Sequence, residues 1–241
     1  MSGQPFAARA AALRQRRWKQ AAIALLALAG TATLVWIVMF SSVLSVHRVA
    51  VDGESSLPEA VVRRTADVRI GQPLARIDVA AIEARVAAME RVRTVRVSRS
   101  WLHTVRITVI ERRPIAWISL RGAIRGVDRD GIDFRTYRKA PKGLLEATVT
   151  ATGARQRQQT LEAVARVVEV IDSDAPALRK AMQGISAASK DSIELDLTKG
   201  RTVVWGSGTD ASHKLSVLRA LLRIDAARYD VSAPDQPTTR R

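Results

Sequence analysis

The stretch AAIALLALAGTATLVWIVMF, Ala21 to Phe40, holds twenty residues without a lysine, arginine, aspartate or glutamate. As a helix rising about 1.5 Å per residue it spans roughly 30 Å, the thickness of a bilayer's hydrocarbon core. Lipid offers peptide groups no partner, so only helix serves there. Trp18 and Trp36 stand near the two ends, where amphipathic rings favour the interface. A secretory signal has a shorter apolar region, about 7–15 residues, before its cleavage site. Here Leu34–Phe40 continues well past Ala27-Leu28-Ala29, the step that mimics such a site. The reading is therefore a retained anchor. Arg9, Arg14, Arg16, Arg17 and Lys19 precede it, and the first forty residues contain no acid. From Ser41 to Ala60, Arg48 is the only lysine or arginine. Basic flanks stay in the cytoplasm, which predicts an inside N-terminus and residues 41–241 outside.

About two hundred residues follow the anchor, enough for two small domains or one larger one. The chain has no cysteine, which excludes disulfides, thiol catalysis and thiolate metal sites. Five of the sixteen net positive charges lie before the helix, where they serve as a topology signal. The outer cations are scattered, from Arg63-Arg64 through Arg91, Arg93, Arg96 and Arg99 to Arg138-Lys139. Ten aromatic residues are too few for a base-stacking platform. Nucleic acid is not expected as a partner; anionic lipid headgroups or wall polymer suit such a surface better.

Residues 46–113 show clear periodicities. Val46, Val49 and Val51 open a strand that closes at Asp52-Gly53. Leu57-Pro58-Glu59 starts a helix, with proline tolerated in the first turn. Gly71-Gln72-Pro73 breaks it. Asp78 is the expected N-cap of a second helix from Val79 to Met89, with Ile82, Val86 and Met89 on one face. Val95 and Val97, then Val105, Ile107 and Val109, alternate with polar residues. They predict a hairpin joined near Trp101-Leu102-His103.

This strand–helix–helix–strand–strand order carries a set of matching residues: Val49, Val51 and Gly53; Gly71, Pro73, Leu74, Ile77 and Asp78; Arg99 and Trp101; Val105, Ile107, Val109, Glu111, Arg112, Pro114, Ile115 and Ala116. With them the segment resembles the POTRA domain of the FtsQ (DivIB) family of bacterial cell-division proteins. Leu102 departs from that family's frequent proline after the tryptophan. The basic tail, single anchor and domain order fit the same family. The resemblance implies an α+β fold: a single N-terminal transmembrane helix, a small POTRA domain, then a mainly antiparallel β domain with flanking helices. The boundaries are a cytoplasmic tail at 1–19, the transmembrane helix at 20–42, the POTRA domain at 43–113, the β domain at 114–233 and a disordered tail at 234–241.

Beyond residue 113, Pro114–Leu120 and Ala123–Val127 are strand-like. Asp128-Arg129-Asp130-Gly131 reads as a turn, because an EF-hand loop needs a glutamate at position twelve and Lys139 stands there. Leu161, Val164, Val168 and Ile171 make one helical face. Ile193, Leu195 and Leu197 lead through the turn Lys199-Gly200 to Val203-Val204-Trp205. Gly206-Ser207-Gly208-Thr209-Asp210-Ala211 has the G-x-G-x-x-A form. A dinucleotide fingerprint requires a parallel βαβ unit, whereas the strands before it read as an antiparallel hairpin. Helix initiation, capped by Ser207 or Thr209, is the expected role. By resemblance Lys214 falls on the family's recurrent lysine. Leu215, Leu218 and Leu222 give the following helix its apolar face.

No chemistry stands out. His47, His103 and His213 lie in three regions without carboxylates at metal-ligand spacing, no H-E-x-x-H or G-x-S-x-G occurs, and Glu194 and Asp196 read as a solvated strand face. The chain is expected to be non-enzymatic, without cofactor, metal or small-molecule substrate. Ala227–Pro234 reads as a final strand on a sheet edge. By resemblance this region docks partners of the FtsB/FtsL type through Tyr229, Asp230, Val231, Ser232 and Ala233. Tyr229 and Val231 would lend specificity, and Val231→Pro would remove a ladder donor while the domain stays folded. The resemblance implies a bitopic divisome scaffold at the septum, its POTRA surface touching other membrane division proteins. A membrane-tethered enzyme or binder of wall polymer is the alternative. An outer-membrane transporter module fits less well, since repeats and barrel strands are not seen.

Overall fold

The structure, a computed structural model, describes residues 5–40, 44–53, 56–100 and 103–241. Helix α1 runs unbroken from Pro5 to Phe40. Trp18–Ile37 is long and apolar enough to cross a bilayer, and none of it is buried. The helix begins well inside the basic segment rather than at residue 20, as expected of a run rich in alanine, arginine, leucine and glutamine, all strong helix formers. At about 1.5 Å per residue its 36 residues reach roughly 54 Å. Ser41 and Ser42, assigned to the span by sequence, lie outside the described residues, as do Trp101 and Leu102 of the expected hairpin turn.

The chain divides between Ile110 and Glu111. In the first unit, β1 (Arg48–Asp52), α2 (Glu59–Ala66), α3 (Val79–Ala87), β2 (Val92–Ser100) and β3 (Thr104–Glu111) follow the predicted order. The sheet order is β1-β3-β2, with β1 parallel to β3 so that Val49 faces Val105 and Val51 faces Ile107. Period-two alternation puts those valines on one face, where Val62, Ala66, Ile82 and Val86 of the helices bury them. Asp78 caps α3 as expected, its Oδ1 accepting from Ala81 N–H at 3.0 Å. Much of the arginine excess works inside this unit. Arg63 donates to the Val49 carbonyl, Arg85 to Ala66 and Arg99 to Ile77. These cations satisfy backbone acceptors that helix ends and the outer edge of β1 leave open.

The second unit is a nine-stranded sheet. Its strands are β4 (Pro114–Leu120), β5 (Ala123–Asp128), β6 (Asp133–Tyr137), β7 (Leu145–Val149), β8 (Met182–Ala187), β9 (Ile193–Leu197), β10 (Thr202–Gly206), β11 (Arg228–Asp230) and β12 (Thr238–Arg240). Their order in space is β12-β11-β10-β9-β8-β7-β4-β5-β6. Hairpins make β4–β5, β5–β6, β8–β9, β9–β10 and β11–β12 antiparallel. Two connections run through helices and return parallel strands. Helices α4 (Ala154–Asp174) and α5 (Pro176–Ala181) join β7 to β8, and α6 (Ala211–Leu221) joins β10 to β11. The expected α4 face, Leu161, Val164, Val168 and Ile171, is buried with Leu195, Leu197, Val203 and Trp205 of the sheet. Each such side chain contributes about 1.5–3 kcal/mol on leaving water. The opposite sheet face carries Glu146, Thr148, Asp196 and Arg228, all exposed.

Asp128 is fully buried at the end of β5. Its Oδ1 accepts from the N–H groups of Asp130 and Ile132, and Arg112 pairs with Oδ2. That arrangement is a turn, as read from sequence. The Lys199-Gly200 turn also holds, with both residues at positive φ.

The loop into α6 differs from expectation. Asp210 at positive φ occupies the N-cap without a side-chain bond, and neither Ser207 nor Thr209 caps the helix. Their hydroxyls bond each other at 2.6 Å. The loop is held instead by Lys214, only 2% exposed, whose Nζ donates to the Ser207 carbonyl at 2.9 Å and its hydroxyl at 3.2 Å. Burial pushes this ammonium below the ordinary lysine range, and Asp210 and Asp191 pull it partly back.

Tyr229 anchors the last part of the sheet. It is fully buried, its hydroxyl donates to the Ile224 carbonyl at 2.8 Å, and Ala226 N–H donates to it at 3.3 Å. Residues 234–241, expected as a disordered tail, instead fold back as β12, pairing Arg228 with Arg240, Tyr229 with Thr239 and Asp230 with Thr238. The turn residues Ala233 to Pro237 supply the return, with Gln236 N–H on the Ala233 carbonyl.

Two outcomes test this account. Tyr229→Phe should cost about 1–2 kcal/mol, because both backbone partners lose their bond; denaturant unfolding of the full chain in detergent should show a lower midpoint with unchanged slope. For Lys214, the folded pKa lies below the unfolded value of 10.5. Between the two values the unfolded chain binds more protons, so stability rises with pH across that window. Lys214→Met should lack this rise: unfolding curves of wild type and variant taken from neutrality up to pH 10.5 should shift relative to each other in favour of the wild type.

Candidate functional site

Among the described residues, the chemical motifs read from the sequence do not come together as a reactive site. His47 and His103 do meet, with ring centroids 4.3 Å apart, a contact the sequence did not reveal because β1 and β3 are distant in the chain. His103 Nδ1 lies 3.1 Å from the Ser45 carbonyl and His47 Nε2 3.2 Å from its hydroxyl. Among the described residues, no group of three or more histidines and carboxylates could hold a metal. Glu194 bonds Arg228 at 2.8 Å on the open sheet face.

β10, α6 and β11 form a βαβ unit with parallel strands, alongside the antiparallel β9–β10 hairpin expected from the sequence. The side of the loop that would have to admit a pyrophosphate is filled, however. A Cβ on Gly208 would stand 3.0 Å from the Ala163 carbonyl oxygen of α4, and one on Gly206, at φ +75°, would stand 2.8 Å from Ser232 Cβ. The glycines here let α4 and the β11 end pack against the loop.

The five residues singled out at the chain's end fall into two groups. Tyr229 and Val231 are fully buried in the core. Val231 N–H donates to the Val204 carbonyl at 2.9 Å. They are therefore not exposed specificity contacts, and proline at 231 would break the β10–β11 junction rather than leave the domain intact. Asp230 is half-buried and accepts from the Ser232 N–H and hydroxyl. Ser232 and Ala233 are exposed in the turn that follows. Alternation explains the split, since inward and outward positions exchange at every residue. Read from sequence alone, Pro234 ends the sheet and puts the edge on this strand, whereas β12 pairs outside it.

The outermost strand is β12, with Thr238, Thr239 and Arg240 all exposed. Thr202 N–H bonds the Ala227 carbonyl, and Val231 N–H bonds the Val204 carbonyl. The Ala227 carbonyl and positions 229 and 231 thus face β10, while the Ala227 N–H, which bonds the Arg240 carbonyl, and positions 228 and 230 face β12. Their partners Thr238 and Arg240 face β11, which leaves the N–H and C=O of Thr239 directed away from the sheet. The opposite edge, β6, is different. Arg125 pairs with Asp133 at 3.3 Å, Arg135 lies over the Tyr137 ring at 5.1 Å, and Arg138-Lys139-Ala140-Pro141-Lys142 follows. Charge and proline of that kind blunt an edge against strand addition. β12 presents two β-branched threonines and one arginine, Arg240.

Comparison with known proteins agrees with this architecture. Residues 44–112 match the signature described as POTRA domain, FtsQ-type. The chain is 38% identical over 216 residues to the cell division protein FtsQ of Streptomyces bingchenggensis, covering 85% of this chain and 79% of that one. It is 36% identical to the FtsQ of Streptomyces collinus and 34% identical to that of Streptomyces coelicolor, each over 99% of this chain and 93% of the relative. With the helix, the β-α-α-β-β unit and the large sheet in place, the chain belongs to the FtsQ family of divisome proteins.

Proposed function

We propose that this chain is a non-enzymatic, single-pass scaffold that gathers membrane-anchored division proteins at the septum and docks an FtsB/FtsL-type partner by strand addition to β12. The observation that carries this reading is the outward backbone of β12: Thr239 turns its donor and acceptor to solvent on a strand whose one charge is Arg240, while β6 carries Asp133 and Arg135 and runs into Arg138-Lys139 and Pro141. Affinity comes from main-chain pairing. The docking residues thus shift outward from the segment 229–233 to Thr238, Thr239 and Arg240, with β11 as their support. Arg9, Arg14, Arg16, Arg17 and Lys19 keep the N-terminus in the cytoplasm, and the two folded units work outside. The basic outer surface keeps a wall-polymer binder as the second reading, favoured if docking proves insensitive to β12.

Thr239→Pro removes an outward N–H that no partner strand within the sheet uses. Co-purification of the division partner from membranes should fall at least about tenfold, while the unfolding midpoint of the full chain stays at the wild-type value. Unchanged co-purification would dispose of docking at this edge. A topology reporter fused after Arg241 should be active only outside the membrane; activity confined to the cytosol would reverse the orientation.

A further inference from the structure

At the end of the sheet where α5 and α6 meet the β9–β10 turn, a cavity of about 440 Å³ opens on the helix side. Leu178, Leu197 and Leu222 line it, and Arg201 and Arg219 stand among the lining with Asp174. Its size lies in the range of ligand-receiving clefts. The guanidiniums are the unusual part. Arg219 donates to the Asp174 carbonyl and Arg201 Nε to the Thr198 carbonyl at 3.4 Å. Among the described residues neither makes an ion pair with a carboxylate. The Asp174 carboxylate itself is held by the Ser173 hydroxyl at 2.9 Å. Each guanidinium has five donors; Arg219 is exposed and Arg201 half-buried, so both have donors free to meet a carboxylate at the cavity mouth.

The cavity is also tied to the docking edge. Arg201 immediately precedes β10, Thr202 N–H bonds the Ala227 carbonyl at 2.9 Å, and Ala227 N–H bonds the Arg240 carbonyl at 3.0 Å. One line of backbone bonds therefore crosses from the cavity rim to β12. At about 4.8 Å per strand, a strand added outside β12 lies roughly 15 Å from β10. About five extended residues span that distance.

We propose that this cavity receives an apolar side chain from an acidic segment of the same partner whose strand pairs with β12, its carboxylates meeting Arg201 and Arg219. The inference rests on the strand-addition reading for the partner's placement. Apolar burial supplies the hold, and the two cations select an acidic segment over a basic one.

The test places p-benzoylphenylalanine at Ala177, an exposed residue of the cavity lining, or at Thr239, in the full chain in dividing cells. Both positions should trap one and the same polypeptide. The segment trapped from position 177 should carry Leu, Ile or Phe beside Asp or Glu. Arg201→Glu with Arg219→Glu should lower the adduct from 177 at least about tenfold while the adduct from 239 persists. Arg201→Lys with Arg219→Lys should keep both, and reversing the trapped carboxylates to lysine should restore the lost adduct in the Glu variant. An adduct from 239 without one from 177, or a 177 adduct that survives charge reversal, overturns the cavity assignment alone. An adduct from 177 without one from 239 overturns the edge reading, and with it the shared partner.

Discussion

The parallel pairing of β11 with β10 is the constraint on which the rest of this molecule's working end depends. It exists because α6 carries the chain back across the sheet before β11 begins. Three residues then fix it. Tyr229 fills the core and closes the preceding turn through its hydroxyl, Val231 supplies both a buried side chain and a ladder donor, and Lys214 secures the loop from which α6 departs. With β11 immobile, β12 has a template, and the outward backbone of Thr239 has a fixed direction. For the strand addition proposed above, an edge held this way is a preorganised ladder, so a partner would pay ordering entropy mainly for its own chain.

Much of this was legible in the residues. The anchor followed from length and absent charge. The first unit followed from alternating valines, the Asp78 cap and the order of matching positions. The long face of α4 was plain from Leu161, Val164, Val168 and Ile171. What could not be read were relations between distant segments. Tyr229 and Val231 look like edge residues because alternation alone does not say which face is inward. β12 was invisible because Thr238–Arg240 is three residues long, lies beyond two prolines and has no apolar side chain to bury. His47 and His103 meet only because β1 and β3 are neighbours.

Net charge proved a weak guide to partners. Arg63, Arg85 and Arg99 close backbone carbonyls within the first unit, and Arg112 balances the buried Asp128 in the second. A guanidinium that caps a carbonyl from a long stem does a structural task that lysine does less well, through its planar fork. The arginines left for outside contact are correspondingly fewer than the composition suggests, and they are defined by what they lack.

Pro237 sits one residue before β12 and has no N–H to give. On the outward side of the strand, Pro237 offers no donor where Thr239 offers one, so a strand added there, as proposed, would meet an interrupted zipper. Such a join closes quickly and opens readily, since each tooth adds only about 0.5–1.5 kcal/mol. On the proposed reading, a joint made in this manner could be broken and remade without unfolding either of its members.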